Sequence, residues 1–232
     1  MCEIRLLFPV HMRTFFQDDT WQSGLEEIRV RVGQPIEFCY GSDNCYLTGK
    51  EKEQMFCSEK DYRRWEKDLY HASEADLREM LNYISNYSLY AYKEEIKQGY
   101  ITIEGGHRVG VAGQTVLVDG KIAGISPITF LNIRIAHEKC GCAKKILPLI
   151  RQKNSIYNTL ILSMPGAGKT TLLRDSIRAL SNGEAYGIRL KVCVVDERSE
   201  IAASFHGVPQ NDMGPRTDVM DFAYALHDRN FA

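Results

Sequence analysis

Residues 163–170, with the sequence SMPGAGKT, restrict the possible folds more than any other part of the chain. Closely spaced glycines followed by Lys and then Ser or Thr, between a strand and a helix, are typical of a phosphate-binding P-loop. A short apolar run at 159–162 precedes the segment, and a helical pattern at 170–180 follows it. We therefore predict a strand, P-loop and helix that begin an α/β RecA-like P-loop NTPase domain.

Each residue type in this segment has a role in binding phosphate. Glycines let backbone N–H groups converge on phosphate oxygens, and the helix that follows offers its positive N-terminal end. Lys169 would hold the β- and γ-phosphates, and the hydroxyl of Thr170 would join the shell of a Mg²⁺ ion. The predicted nucleotide-binding residues are Ser163, Pro165, Gly166, Ala167, Gly168, Lys169, Thr170 and Thr171. Ser163 stands where the pattern has glycine, and the alternative is a glycine-rich loop with a solvated lysine.

A second apolar run, at residues 192–195, ends in a cluster of carboxylates. Asp196 and Glu197 come directly after the run, and Glu200 follows three residues later. Carboxylates at a strand end can hold Mg²⁺ or orient an attacking water, so Lys169, Asp196, Glu197 and Glu200 are the predicted catalytic residues. Thr170 and Asp196 are the predicted ligands of Mg²⁺ bound with ATP. The alternative is a charged strand end that faces solvent.

ATP is preferred over GTP as the nucleotide, because no Asn-Lys-x-Asp stretch that would read guanine is present. Only one helix separates the two apolar runs. The run at 192–195 is therefore the next strand along the chain, whereas the usual Walker B strand of RecA-like ATPases comes later.

The N-terminal part of the chain predicts an α+β domain. Apolar residues alternate at 28–32 and at 36–40, which indicates two strands, while residues 41–60 are expected to be loop. Ser73 is a plausible N-cap for an amphipathic helix over 73–90. Short β runs at 100–104, 108–112, 115–118, 121–125 and 131–135 follow, and then a helix over 143–153 that is kinked or broken near Pro148. We place the domain boundary near 150, giving domains 1–150 and 151–232.

Composition restricts the class of protein. The 29 basic and 30 acidic residues leave a net charge of −1, which does not favour a nucleic acid partner. No signal peptide or membrane-spanning run is visible, so a cytoplasmic location is expected. The seven cysteines are odd in number and irregular in spacing, as expected of reduced thiols. Cys140 and Cys142 form a close pair without further ligands, which favours free thiols over a metal site.

Several segments together resemble one family. They are residues 163–170, VVDERSEIA at 194–202, GVPQ at 207–210, RTDV at 216–219, IRVRVGQP at 28–35, GHRVGVAG at 106–113 and NIRIA at 132–136. This combination is much more specific than the P-loop alone, and it resembles stage III sporulation protein AA over most of residues 25–221. That family is related to the hexameric traffic ATPases of type II and type IV secretion and of pilus assembly.

The resemblance implies a membrane-associated, cytosolic ATPase of the mother cell in endospore-forming bacteria, energising a channel complex between mother cell and forespore. It implies a homo-oligomer, with a hexamer as the family's form, and membrane channel proteins as partners. It also implies arginines that reach the nucleotide from the N-terminal domain. Arg108 and Arg134 are the candidates, against the alternative of solvated arginines on strands.

The end of the chain departs from the family. The family continues beyond residue 221 with a Walker B strand and further strands, whereas residues 222–232 do not resemble it. We therefore expect the second domain to be incomplete at the C-terminus, with uncovered sheet edges. Two functions remain open: an ATPase, or a truncated fragment that binds nucleotide or protein without turnover. A nucleic-acid-handling RecA-like protein is the third, weaker alternative.

Overall fold

The chain forms two compact units. The computed structural model describes residues 4–16, 19–49, 55–152, 155–184, 187 and 189–221. One unit comprises Met1–Ala136 and the other His137–Ala232. The division therefore lies earlier than the expected boundary near 150. The reason is that Ala143 and Leu147 pack with Ala179 and Leu180 in a core of the second unit.

The first unit is built on a seven-stranded sheet in which every described pair of neighbours is antiparallel. The strands are β1 (Glu27–Arg31), β2 (Glu37–Tyr40), β3 (Asp43–Leu47), β4 (Phe56–Ser58), β5 (Tyr100–Thr102), β6 (Arg108–Val118) and β7 (Lys121–Arg134). Their order in the sheet is β4-β3-β2-β1-β7-β6-β5. The helices are α1 (Tyr62–Trp65), α2 (Glu74–Ile84) and α3 (Lys93–Lys97). This mixture of helix and sheet agrees with the α+β prediction.

Alternation along the central strands creates the core of this unit. Ile28 and Val30 are fully buried while Arg29 between them is exposed, as the two-residue period of a strand requires. Short 3₁₀ helices near the N-terminus, Ile4–Leu7, Val10–Phe15 and Thr20–Gln22, contribute aromatic rings to the same core. Phe16 and Trp21, for example, lie with ring centroids 4.6 Å apart.

The helix α2 begins as the sequence predicts and ends earlier. The hydroxyl of Ser73 accepts a hydrogen bond from the backbone N–H of Asp76, and the carboxylate of Asp76 accepts one from the N–H of Ser73. This capping box defines the first turn. The helix stops at Ile84, because Asn86 and Tyr87 adopt positive φ angles that helical backbone does not allow.

Two strands lie in the region that was expected to be loop. β3 and β4 continue the sheet beyond β2, although their sequences show little alternation. Four of the predicted β runs are instead parts of only two long strands, β6 and β7. Asp119 and Gly120 connect them with φ angles of 51° and 73°, the left-handed conformations that a tight hairpin turn needs.

The second unit contains short elements and one substantial helix. Its elements are a 3₁₀ helix (Cys142–Lys145), α4 (Leu147–Ile150), β8 (Arg151–Gln152), β9 (Ser155–Ile156), α5 (Lys169–Asn182), β10 (Val192–Asp196) and β11 (Thr217–Asp221). The strands β10 and β11 pair in parallel. A core of Ile177, Val194, Ala202 and Met213 joins α5 to β10 and to the loops that follow it.

Two predictions for this unit are wrong. Residues 159–162 form no strand, and Leu160 and Leu162 are each 80% exposed. An apolar run becomes a strand only where a neighbouring strand satisfies its backbone groups, and in the described residues β10 pairs with β11. The helix expected over 143–153 does not reach this length: it is a 3₁₀ turn followed by the single turn α4, and the expected break lies near Pro148, in the first turn of α4. Residues 222–232, where we expected the departure from the family, lie outside the described part of the chain.

Candidate functional site

The P-loop leads directly into α5. Gly166 and Gly168 have φ angles of 77° and 88°, a region that residues with a Cβ rarely enter. Gly168 is the N-cap of α5, so no side chain caps the first N–H groups of this helix. Pro165, Ala167 and the two glycines are exposed. The loop therefore presents backbone N–H groups and the positive end of a helix on an accessible surface.

The ammonium group of Lys169 folds back onto its own loop. Its Nζ donates to the backbone oxygen of Ser163 at 3.1 Å and to that of Met164 at 3.2 Å. The hydroxyl oxygen of Ser163 lies 3.4 Å from the same Nζ. Ser163, which departs from the P-loop pattern, thus supplies two of the three acceptors that hold this lysine.

The two threonines differ in their surroundings. Thr170 is half-buried and faces the same cleft as Lys169. Thr171 is half-buried, and its backbone oxygen lies 3.6 Å from Sγ of Cys142. The hydroxyl of Thr170 is therefore well placed for a ligand in the cleft. Thr171 instead lies at the contact between α5 and the 3₁₀ helix Cys142–Lys145.

The acidic residues divide into one buried and two exposed carboxylates. Asp196, at the end of β10, is only 3% exposed, and its Oδ1 accepts from the N–H of Glu200 at 2.9 Å. Its Oδ2 accepts from the N–H groups of Ile201 and Ala202 at 2.8 and 2.9 Å. Glu197 and Glu200 are exposed. Asp196 thus shapes the loop after β10, and its predicted role as a Mg²⁺ ligand stays a prediction.

One cleft of about 540 Å³ joins the P-loop to the acidic residues. It is lined by Ile161, Lys169, Thr170, Leu173, Val195, Asp196, Glu197, Arg198, Glu200 and Ile201. The predicted catalytic residues therefore share one cavity, although they come from two segments of the chain. Clefts of this size are typical of sites for small molecules.

Five residues that line this cleft were not predicted as site residues from the sequence: Ile161, Leu173, Val195, Arg198 and Ile201. Leu173 lies one turn after Lys169 on α5, so helical spacing could have placed it there. Arg198 lies between Glu197 and Glu200 and adds a positive charge to the cleft. It was not predicted, because only the carboxylates of this segment were considered as site residues. In the described residues, no group of three His, Cys, Asp or Glu side chains is arranged to hold a metal ion by itself.

A buried ion-pair network holds α5 from the side away from the cleft residues. Asp175 accepts from the N–H of Ala143 at 2.7 Å, and Arg178 contacts both Asp175 and Glu184. Burial opposes ionisation of Asp175, but hydrogen bonds from the N–H groups of Ala143 and Gly141 and from Arg178 outweigh it. The pKa of Asp175 therefore lies below its usual value. The hydrogen bond from Arg178 likewise lowers the pKa of Glu184.

Arg108 and Arg134 belong to the first unit, where they are direct neighbours across β6 and β7. The guanidinium of Arg108 lies 5.0 Å from the ring centroid of Tyr100, a cation–π contact. Nε of Arg134 lies 3.8 Å from a carboxylate oxygen of Glu27. The two arginines thus share one face of the sheet, and a contact between them and a nucleotide stays a prediction.

No helix within the described ranges combines the length and the apolar character needed to cross a bilayer.

Comparisons with known proteins identify the family of the chain. A family model described as "Sporulation stage III, protein AA" matches residues 2–225. Stage III sporulation protein AA of Bacillus subtilis (strain 168) is 39% identical over 223 residues, which is 95% of this chain and 66% of that protein. The chain thus spans about two thirds of the length of this relative. The X-ray structure of the Legionella pneumophila ATPase DotB is 17% identical with a TM-score of 0.46, over 92% of this chain and 51% of that one. The chain belongs to the sporulation stage III protein AA family.

Proposed function

We propose that the chain binds Mg²⁺ and ATP in the cleft between the P-loop and the acidic loop, and that it hydrolyses ATP there. The observation that carries this proposal is that one cavity contains both Lys169 and the carboxylates of Glu197 and Glu200. A cation that binds phosphate and a residue that orients the attacking water are recurring parts of sites that hydrolyse a γ-phosphate, and a carboxylate can be the second.

The groups around Lys169 fit a phosphate ligand. Its Nζ is held by backbone oxygens of Ser163 and Met164 and by a hydroxyl oxygen, all of which are uncharged. Phosphate oxygens carry negative charge and form shorter, stronger hydrogen bonds with an ammonium group. A phosphate that enters the loop can therefore replace these acceptors. The positive φ angles of Gly166 and Gly168 support a close approach of phosphate to the backbone.

The protein groups would then have separate roles. Lys169 and the N–H groups at the start of α5 would bind the phosphates, and Thr170 would hold the ion with its hydroxyl. Glu197 or Glu200 would accept a hydrogen bond from the attacking water and orient it. Mg²⁺ bound with ATP supplies neutralisation of the phosphate charge. Because Mg²⁺ commonly takes only one or two protein ligands, Thr170 and one carboxylate suffice.

At the level of the cell, we propose the role that the family implies. The chain would be part of an ATPase at the inner face of a membrane that energises a channel complex between mother cell and forespore. Homo-oligomerisation, as a hexamer, and contact with membrane channel proteins belong to the same proposal. Arg108 and Arg134 would act toward a nucleotide within that assembly, and no nucleic acid partner is expected.

Binding without turnover is the second candidate function. It is favoured by Asp196, whose two oxygens already accept three backbone N–H groups and so are less available to an ion. In that case the cleft would bind nucleotide, and a carboxylate outside this chain would be needed for hydrolysis.

The first experiment measures Mg²⁺-ATP binding by calorimetry and phosphate release on the purified chain. Lys169→Ala should abolish both, because it removes the charge in the loop. Lys191→Ala, an exposed lysine before β10, is the matched control and should bind as the wild type does. Binding without phosphate release would support the second candidate. Equal affinities of the wild type and Lys169→Ala would overturn the proposed site.

A further inference from the structure

The loop that carries Glu197 and Glu200 is held by the carboxylate of Asp196 at its start and by groups from α5 and from residues 210–211. It has no regular secondary structure, yet the N–H and C=O groups of residues 200–202 all have partners. The N–H groups bind the carboxylate of Asp196. The oxygen of Ala202 accepts from the N–H groups of Gln210 and Asn211. The loop is therefore ordered without a sheet or a helix of its own.

The two remaining backbone oxygens of this loop converge on Arg174 of α5. Its Nε donates to the oxygen of Ile201 and its Nη2 to the oxygen of Glu200, both at 2.7 Å. The side chain of Asn211 also donates to the oxygen of Ile201, at 2.9 Å. The side chain of Arg174 thus bonds this loop directly from α5.

The position of Arg174 on α5 links this contact to the P-loop. It lies four residues after Thr170, which places both side chains on the same side of the helix, one turn apart. Leu173 lines the cleft between them. The helix that carries Lys169 and Thr170 therefore also forms hydrogen bonds with the loop that carries the carboxylates.

We propose that Arg174 is a positioning residue of the nucleotide cleft. By holding the backbone oxygens of Glu200 and Ile201, it sets where the carboxylates of Glu197 and Glu200 stand relative to Lys169. This inference rests on the proposed function, since the distance that Arg174 sets matters only if the cleft holds a nucleotide.

The geometry explains why this residue is an arginine. Two of its acceptors are the carbonyl oxygens of the adjacent residues Glu200 and Ile201, so this contact requires a side chain that can donate to both at once. A guanidinium has donors in a fixed planar arrangement and can reach two carbonyls at once, whereas an ammonium is a single compact group. Lysine would keep the charge and lose the two-pronged contact.

The test compares Arg174→Lys with Arg216→Lys. Arg216 is a matched control because its Nη1 also donates to a backbone oxygen, that of Arg189 at 2.9 Å, outside the residues that line the cleft. For Arg174→Lys we expect kcat for ATP to fall at least tenfold while the Kd for Mg²⁺-ATP changes less than about threefold, because a shift of about 1 Å at a reacting group costs roughly a hundredfold in rate. Arg216→Lys should match the wild type in both.

Hydrogen exchange on the nucleotide-free chain provides a second measurement that does not depend on ATPase activity. In Arg174→Lys the amides of residues 200–202 should exchange at least tenfold faster, with no change in β11. Unchanged exchange, or an unchanged kcat beside an active wild type, would overturn the inference. If these amides exchange faster in Arg174→Lys but the wild type does not bind ATP, the result would support the role of Arg174 in holding the loop and would contradict the proposed function. If Arg174→Lys does not fold, Arg174→Gln takes its place, since it keeps one donor.

Discussion

Arg178 donates hydrogen bonds from both Nε and Nη2 to the same carboxylate oxygen of Asp175, at 3.0 and 2.9 Å. Asp175 is 3% exposed and Arg178 is 8% exposed, so both charges are largely removed from water. A buried charge that loses its partner is strongly destabilising. This pair ties α5 to the segment that contains Ala143, and it therefore supports the helix that begins at the P-loop.

Asp175→Asn should lower the free energy of unfolding by about 2 kcal/mol, because it removes the buried counter-charge of Arg178 and leaves only the more exposed Glu184 beside it. The pH dependence should change as well. Since the pKa of Asp175 is lowered in the folded state, its contribution is complete above the ordinary carboxyl pKa of about 4 and is lost as the pH falls through the lower, folded value. Urea denaturation between pH 7 and pH 2 measures both effects. If the variant shows the same acid-induced loss of stability as the wild type, Asp175 does not contribute in this way.

Cys142 should react slowly with iodoacetamide at pH 8 and faster in Asp175→Asn. Partial burial, and then the nearby carboxylate of Asp175, raise the pKa of the Cys142 thiol, which lowers its reactive thiolate fraction. Mass spectrometry of the alkylated peptides gives the rate for each cysteine in one experiment. Cys193, which is an exposed residue as Cys142 is but lies outside the contacts of Asp175, is the internal reference; a parallel increase at both cysteines would indicate general loosening instead.

Asp196→Asn should destabilise the nucleotide-free chain by about 2–3 kcal/mol. The substitution replaces one acceptor oxygen by an NH₂ group that faces backbone N–H donors. Glu197→Gln is the matched control, because Glu197 is exposed; it should leave the thermal midpoint unchanged and lower only phosphate release. If Asp196→Asn were as stable as the wild type without ligand, the carboxylate would not be the organiser of its loop.

Gly214→Ala should destabilise the chain by about 3 kcal/mol, and Gly207→Ala by only about 1 kcal/mol. Both glycines have positive φ angles, 81° and 77°. A Cβ at Gly214 would lie 2.6 Å from Cβ of Ser181 on α5, whereas a Cβ at Gly207 would meet nothing within 4 Å. The difference between the two variants in the free energy of unfolding, measured by urea denaturation, therefore reports the effect of the close approach of Gly214 to α5. Equal losses would mean that only backbone strain matters.

Local signals were predictable from the sequence. The capping box of Ser73 and the glycine positions of the P-loop depend on neighbours within a few residues, and the structure has both. The absence of a strand at 159–162 was not predictable in this way, because an apolar run forms a strand only where a partner strand pairs with it. β3 was missed for the opposite reason: it forms by pairing with β2, although its own sequence shows little alternation of polar and apolar residues.

In the candidate site, too, local features could be predicted from the sequence and long-range contacts could not. That Lys169 and Glu200 would share a cleft could be inferred from a P-loop and an acidic strand end. The role of Asp196 could not, because its bonds to the next loop depend on how residues 200–202 turn back. Nor could Arg174, whose acceptors lie 26 and 27 residues further along the chain.

The hydrogen bonds from Arg174 to the backbone of Glu200 and Ile201 matter when related chains are compared or engineered. The conformation of residues 196–202 depends partly on a side chain of α5. Moving this heptapeptide into another protein would therefore transfer its carboxylates without the contact that positions them. Two homologues identical at 196–202 but different at position 174 would present unlike surfaces to the same ligand.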